Sequence, residues 1–123
     1  MTSDASSPLR DLDQLRDRLR RFVAERDWDQ FHSPKNLAMA LIAEAAELVE
    51  QFQWLTEQES ANLTPERKAP VADELADVLV YLVRIADKLD IDLLAAVAAK
   101  MERNEAKYPA ALVKGSARKY TEY

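Results

Sequence analysis

Two short acidic motifs are the part of this chain best suited to chemistry: "EAAE" at residues 44–47 and "ELAD" at residues 74–77. Side chains three apart on a helix project as neighbours, so Glu44 pairs with Glu47 and Glu74 with Asp77. On a wheel of about 100° per residue, Glu44 falls about 20° from Leu37, at the edge of an apolar face centred on Leu41, Leu48 and Phe52. Glu47 lies one stripe further round. Glu74 and Asp77 shoulder a second apolar face of Val71, Leu75, Val78, Leu82 and Ile85, with Tyr81 between them one turn on. Carboxylates rarely border a dry face without a partner. One E-x-x-E is common on solvated helices and means little, but two such pairs beside two apolar faces would repel each other unless water or a divalent cation intervened. Oxygen-only donors in a chain without cysteine favour a hard ion, Mg2+ or Mn2+, over zinc. The single histidine argues against a di-iron or metal-storage bundle, which needs Glu-x-x-His on two helices.

The elements that must carry these residues follow from apolar spacing and helix-start signals. Ser7-Pro8 predicts the start of a first helix, with Leu9, Leu12, Leu15, Leu19, Phe22 and Val23 in helical register to about residue 25. Ser33-Pro34 opens a second helix that runs to about Trp54, with Leu37, Leu41, Ala45, Leu48, Val49 and Phe52 on one face. Residues 55–69 read as a polar loop or short helical turn, and Pro70 as the start of a third helix reaching about Leu89. A fourth begins with Asp90 or Asp92 as its cap and ends before Pro109. One glycine and five prolines in 123 residues argue against a turn-rich β fold. The expectation is an all-α, four-helix bundle forming a single domain over residues 1–123, with residues 1–6 and the basic tail from about 113 to 123 flexible.

Composition narrows the function. A net charge of −5 argues against nucleic-acid binding, which calls for a basic patch. Without cysteine there is no disulfide, zinc–thiolate site or thiol nucleophile. No apolar run approaches a membrane span and the N-terminal residues have no signal-peptide core, so the expected location is cytoplasmic. The stretch "VLVYLV" is apolar almost all round, which predicts a homo-oligomer with Val80 and Val83 at a subunit contact.

The two motifs and their spacing resemble the E-x-x-E…E-x-x-D signature of the all-α nucleoside triphosphate pyrophosphohydrolases, the MazG-like superfamily. The blocks "RDWDQFHSPKNLA", "AAELVEQFQW", "ELADVLVYLV" and "KMERNEAKYP" are similar to its dCTP pyrophosphatase branch, and together they cover about residues 26 to 109. The resemblance implies Mg2+-dependent hydrolysis of a nucleoside triphosphate, dCTP or a modified dCTP, to the monophosphate and pyrophosphate, as a house-cleaning activity. It implies that Glu44, Glu47, Glu74 and Asp77 are the metal ligands and catalytic acids. Glu47 is our candidate for handling the attacking water, although the sequence alone does not choose among the four. The resemblance further implies that Trp28 and Trp54 stack the base, that His32 stands near for hydrogen bonding, and that Tyr81 meets the sugar. Lys100, Asn104 and Tyr108, spaced by four on the fourth helix, become phosphate and nucleotide contacts. Dimers, often paired into tetramers, are implied as well. The rival from another class is a non-catalytic helical interaction or regulatory protein on the same scaffold.

Overall fold

The computed structural model describes residues 7–117, and among them every regular element is helical. In chain order these are α1 (Leu12–Glu25), a single 3-10 turn (Asp29–Phe31), α2 (Pro34–Glu50), α3 (Glu57–Ala61), α4 (Pro65–Lys88), α5 (Leu93–Lys107) and α6 (Ala110–Val113). Four long helices thus match the expectation, with two short ones added. The leader at residues 1–6 and the last part of the basic tail, including Arg118 and Lys119, lie outside the described residues.

Side-chain caps set most of the starts. The Ser33 hydroxyl accepts the Asn36 N–H at 3.1 Å with Pro34 at the first helical position, as the sequence predicts. Asp92 caps α5 by accepting the Ala95 N–H at 3.0 Å. Two predicted starts are corrected. α1 begins after Asp11 rather than Ser7, because the Asp11 carboxylate accepts the Gln14 N–H at 2.7 Å while the Gln14 side chain accepts the Arg10 N–H at 2.7 Å. α4 begins at Pro65, where Thr64 repeats the Ser33-Pro34 device by accepting the Arg67 N–H at 3.3 Å. Pro70 consequently lies inside α4. It forfeits the hydrogen bond to the Glu66 carbonyl, on a turn whose residues are all exposed, so that carbonyl can turn to water. Between α2 and α4, the predicted loop holds α3, closed by a reciprocal capping box between Thr56 and Glu59.

The chain forms two compact units, the first ending at Asp90 and the second beginning at Ile91. In the first, α4 is the central element: α2 packs along it and α1 lies against it. The dry core there is small, namely Val23 of α1, Leu37 of α2, and Val83 and Ala86 of α4. An ion pair reinforces the α1 contact, with Arg20 donating through Nε to Asp87 Oδ2 at 2.8 Å and through Nη2 to Oδ1. Two details of the expected α4 face are corrected. Val83 is buried within the unit and is not free for a subunit contact, while Leu75 and Leu82, expected in the core, are exposed. The wheel found the apolar residues of α4 but assigned too many of them to the interior, because α4 is apolar round more of its girth than α1 and α2 cover. In the second unit, α5 carries an exposed apolar stripe of Leu94, Val97 and Met101.

Candidate functional site

The packing of α2 along α4 brings the acids together. One carboxylate oxygen from each of Glu44, Glu74 and Asp77 lies within 4.8 Å of the others. Glu44 and Glu74 are half-buried and Asp77 is exposed. The Oε2 atoms of Glu44 and Glu74 are buried, with no hydrogen-bond partner. Burial, then the adjoining carboxyls of Glu47 and Glu74, then the charges of Glu47 and Asp77 push the Glu44 carboxyl up to about 7. Glu74 is also raised, chiefly by burial, with Glu47 and Asp77 adding to the rise and Glu44 opposing it. Glu47 is exposed and is not one of the three clustered oxygens, yet its effect on both neighbours makes it the fourth member of the group. The Tyr81 hydroxyl is pushed up by burial first and then by Glu44 and Asp77, so the phenol adjoins the same acids.

Crowded carboxylates with orphaned lone pairs are a poor arrangement for a protein in water alone. A hard divalent cation would satisfy those lone pairs and cancel the repulsion, and an all-oxygen donor set is what such a cation takes. The cluster fits a metal.

The aromatic residues enter by a different local device. α1 ends in a Schellman turn: the Trp28 N–H donates to the Val23 carbonyl at 3.0 Å and the Asp27 N–H to the Ala24 carbonyl at 3.1 Å. Asp27 takes the left-handed conformation there, φ 53°, a place where aspartate is better tolerated than most residues. This turn lays Trp28 edge-on to Phe22, ring centroids 5.7 Å apart, with the Arg26 guanidinium 3.8 Å over the Phe22 ring. Four residues on, half-buried His32 presents Nδ1 to Arg84 Nη2 at 3.4 Å. Trp54 follows α2 on a tight turn, with the Phe52 N–H bonded to the Val49 carbonyl, and is 88% exposed. The predicted α2 end at Trp54 therefore moves back to Glu50.

Sequence reasoning passed over Arg84, Lys88 and Asp29. Arg84 is only 3% exposed, yet its Nη2 donates to Asp29 Oδ1 at 3.1 Å, and Lys88 Nζ reaches the same oxygen at 3.0 Å. The signal was present. Asp77, Tyr81, Arg84 and Lys88 continue one stripe of α4 at steps of four, three and four.

Lys100, Asn104 and Tyr108 belong to the second unit. Lys100 is exposed, Asn104 is half-buried, and Tyr108 stands at the C-terminal cap of α5 with its N–H donating to the Asn104 carbonyl at 2.8 Å. No helix among the described residues is long and apolar enough to cross a membrane.

A family model described as the MazG-like family matches residues 40–123. Human dCTP pyrophosphatase 1 is 47% identical over 118 residues, covering 94% of this chain and 69% of its own, and the rat protein of the same name is 45% identical over 118 residues. The crystal structure of a pyrophosphatase from Archaeoglobus fulgidus superposes with a TM-score of 0.76 at 42% identity, covering 84% of this chain and 96% of that one.

Proposed function

We propose that this chain, which belongs to the MazG-like family, hydrolyses dCTP or a modified dCTP to the monophosphate and pyrophosphate with the help of Mg2+. The observation that carries this reading is the meeting of Glu44, Glu74 and Asp77 oxygens within 4.8 Å, two of the carboxylates holding buried, unpartnered oxygens. The 47% identity to a protein named dCTP pyrophosphatase 1 supports the substrate.

In the reaction a water oxygen bonds to phosphorus on one side of the α–β bridge, and the bridging P–O bond breaks to release pyrophosphate. Glu44, Glu47, Glu74 and Asp77 are the residues that would hold magnesium, which when bound neutralises the triphosphate charge and polarises the phosphoryl oxygens. Mn2+ suits the same oxygen donors. Glu47, the exposed glutamate of the group, has the freedom to orient the attacking water and take its proton. Trp28 and Trp54 supply aromatic surface for the base, His32 a hydrogen-bonding ring, and Tyr81 a contact to the sugar beside the acids. Lys100, Asn104 and Tyr108 are assigned to the phosphates and nucleotide on the family resemblance alone.

The protein is proposed to work as a homodimer or homotetramer. Leu75, Leu79 and Leu82 form an exposed stripe on α4 at steps of four and three, and Leu94, Val97 and Met101 another on α5. Contiguous apolar stripes of this kind belong at interfaces. Sedimentation should therefore return a multiple of the chain mass.

The deciding experiment incubates canonical and modified nucleoside triphosphates with Mg2+ and quantifies monophosphate and pyrophosphate for wild type and Glu74→Gln. The expected result is pyrophosphate from dCTP, reduced at least about a hundredfold in the variant, since even outer partners of a metal ligand cost 10–100-fold. Orthophosphate as the product refutes the reaction, and equal turnover by the variant refutes the site. No product from any triphosphate favours the non-catalytic reading.

A further inference from the structure

Arg84 is the one buried charged residue among the described residues, and the acid cluster makes no use of it. It sits on the stripe that carries Asp77 and Tyr81, two turns or about 10 Å of helix rise beyond Asp77. The reach from a nucleotide's phosphates to its base is of that order. At this distance Arg84 gathers the segment between α1 and α2: Asp29 at 3.1 Å and His32 Nδ1 at 3.4 Å, both on Nη2. Lys88 holds the same Asp29 oxygen, and Asp87 Oδ2 lies 3.5 Å from Arg84 Nη1.

The His32 contact has a chemical direction. A guanidinium only donates, so an imidazole nitrogen facing it must accept and carry no proton. In a neutral ring the proton then sits on the other nitrogen. We propose that Arg84 is a positioning residue that clamps the Trp28–His32 segment and fixes His32 as the Nε2–H tautomer, so that the ring offers a donor to an acceptor on the nucleobase edge. On cytosine, O2 and N3 are such acceptors. The inference rests on the nucleotide reading proposed above.

The charges around His32 are consistent with a neutral ring. Burial is the largest influence and lowers its pKa, the Arg84 charge lowers it further, Asp29 on its own segment opposes, and Lys88 of α4 adds a smaller decrease.

The chain has a single histidine, so its imidazole nitrogens can be read without ambiguity by long-range 15N–1H correlation in the intact protein. Wild type is expected to show Nδ1 unprotonated and Nε2 protonated. Arg84→Met should mix the tautomers and raise the imidazole pKa towards its ordinary value of about 6.5. The same variant should raise KM for dCTP about five- to tenfold, the worth of one hydrogen bond, with kcat within about twofold. In a His32→Ala background the KM penalty of Arg84→Met should vanish. Asp29→Asn, at a carboxylate 61% exposed, loosens the same clamp without opening the core and should raise KM about two- to threefold. A proton on Nδ1 in wild type overturns the inference, as does an unchanged KM in Asp29→Asn or a penalty that persists without His32. Should wild type release no pyrophosphate, the proposed reaction fails. The Nε2 resonance titrated with dCTP in calcium then still decides: a shift upholds the clamp, and no shift overturns it.

Discussion

Removing one acid from the cluster should make the metal-free protein more stable, and only on the alkaline side. The perturbation is Glu44→Gln, which keeps the side-chain shape and removes the charge. Burial and the neighbouring carboxyls raise Glu44 from its ordinary 4.5 to about 7 in the folded chain. For an acid raised on folding, the ionised form is the disfavoured one. Below about pH 4.5 the group is protonated in both folded and unfolded states and folding carries no cost. As pH climbs through the interval up to about 7 the cost grows, and above it the cost is complete. Full conversion of that difference gives about 3 kcal/mol, at about 1.4 kcal/mol for each tenfold step. The cluster opens to solvent beside exposed Glu47 and Asp77, and screening there reduces the figure to about 1–2 kcal/mol. In EDTA at about pH 8, Glu44→Gln should therefore melt roughly 3–10 °C higher than wild type at the same protein concentration, and at about pH 4 the two should coincide. Adding Mg2+ should reverse the order at pH 8, because wild type gains binding energy that the variant has lost: about 2.7 kcal/mol at a hundred times Kd. Differential scanning calorimetry of both proteins in the three conditions reads all six melting temperatures. A variant no more stable than wild type in EDTA at pH 8 refutes the claim that these carboxylates crowd one another at a cost.

Two further perturbations test the scaffold. Leu37, 1% exposed, is the most buried large residue of α2, so Leu37→Ala should lose about 2–5 kcal/mol in urea titration; a loss below 1 would mean that the core lies elsewhere. The hydrogen bond from Arg20 is the main cause holding the Asp87 carboxyl below the usual carboxylate range. Its stabilisation is complete above the ordinary value near 3.8 and disappears as pH falls through the depressed one, so the stability gap between wild type and Asp87→Asn should be full at about pH 6 and close in strong acid. A gap that does not change with pH would refute that origin.

Much of the helical plan was readable because its punctuation is local. Ser33-Pro34 and Asp92 act through hydrogen bonds three residues away, so a short stretch of sequence contains the whole cause. Thr64-Pro65 carries the same signal as Ser33-Pro34, but the residues around it are polar, and Pro70, next to the apolar run, is the more conspicuous start. The meeting of "EAAE" with "ELAD" followed from their positions at the edges of two apolar faces, which must turn towards each other if both are to be covered. What the sequence could not reveal depends on which part of a broad apolar girth is covered. Val83 is inside while Leu82 beside it is outside, and no wheel distinguishes them when nearly every position of "VLVYLV" is apolar. Arg84 is illegible for a related reason: its partner Asp29 is distant in sequence and follows a left-handed aspartate at the end of α1.

The acidic and basic ends of the α4 stripe are cut into one uninterrupted rod, and this fixes how the chain can vary. Exchanging a side chain alters one end and leaves the other untouched. Adding a single residue anywhere between Asp77 and Arg84 would twist everything downstream by about 100° and turn Arg84 and Lys88 away from Asp29, while Glu74 and Asp77 kept their places. That span behaves as a ruler, and its length is the property it cannot give up.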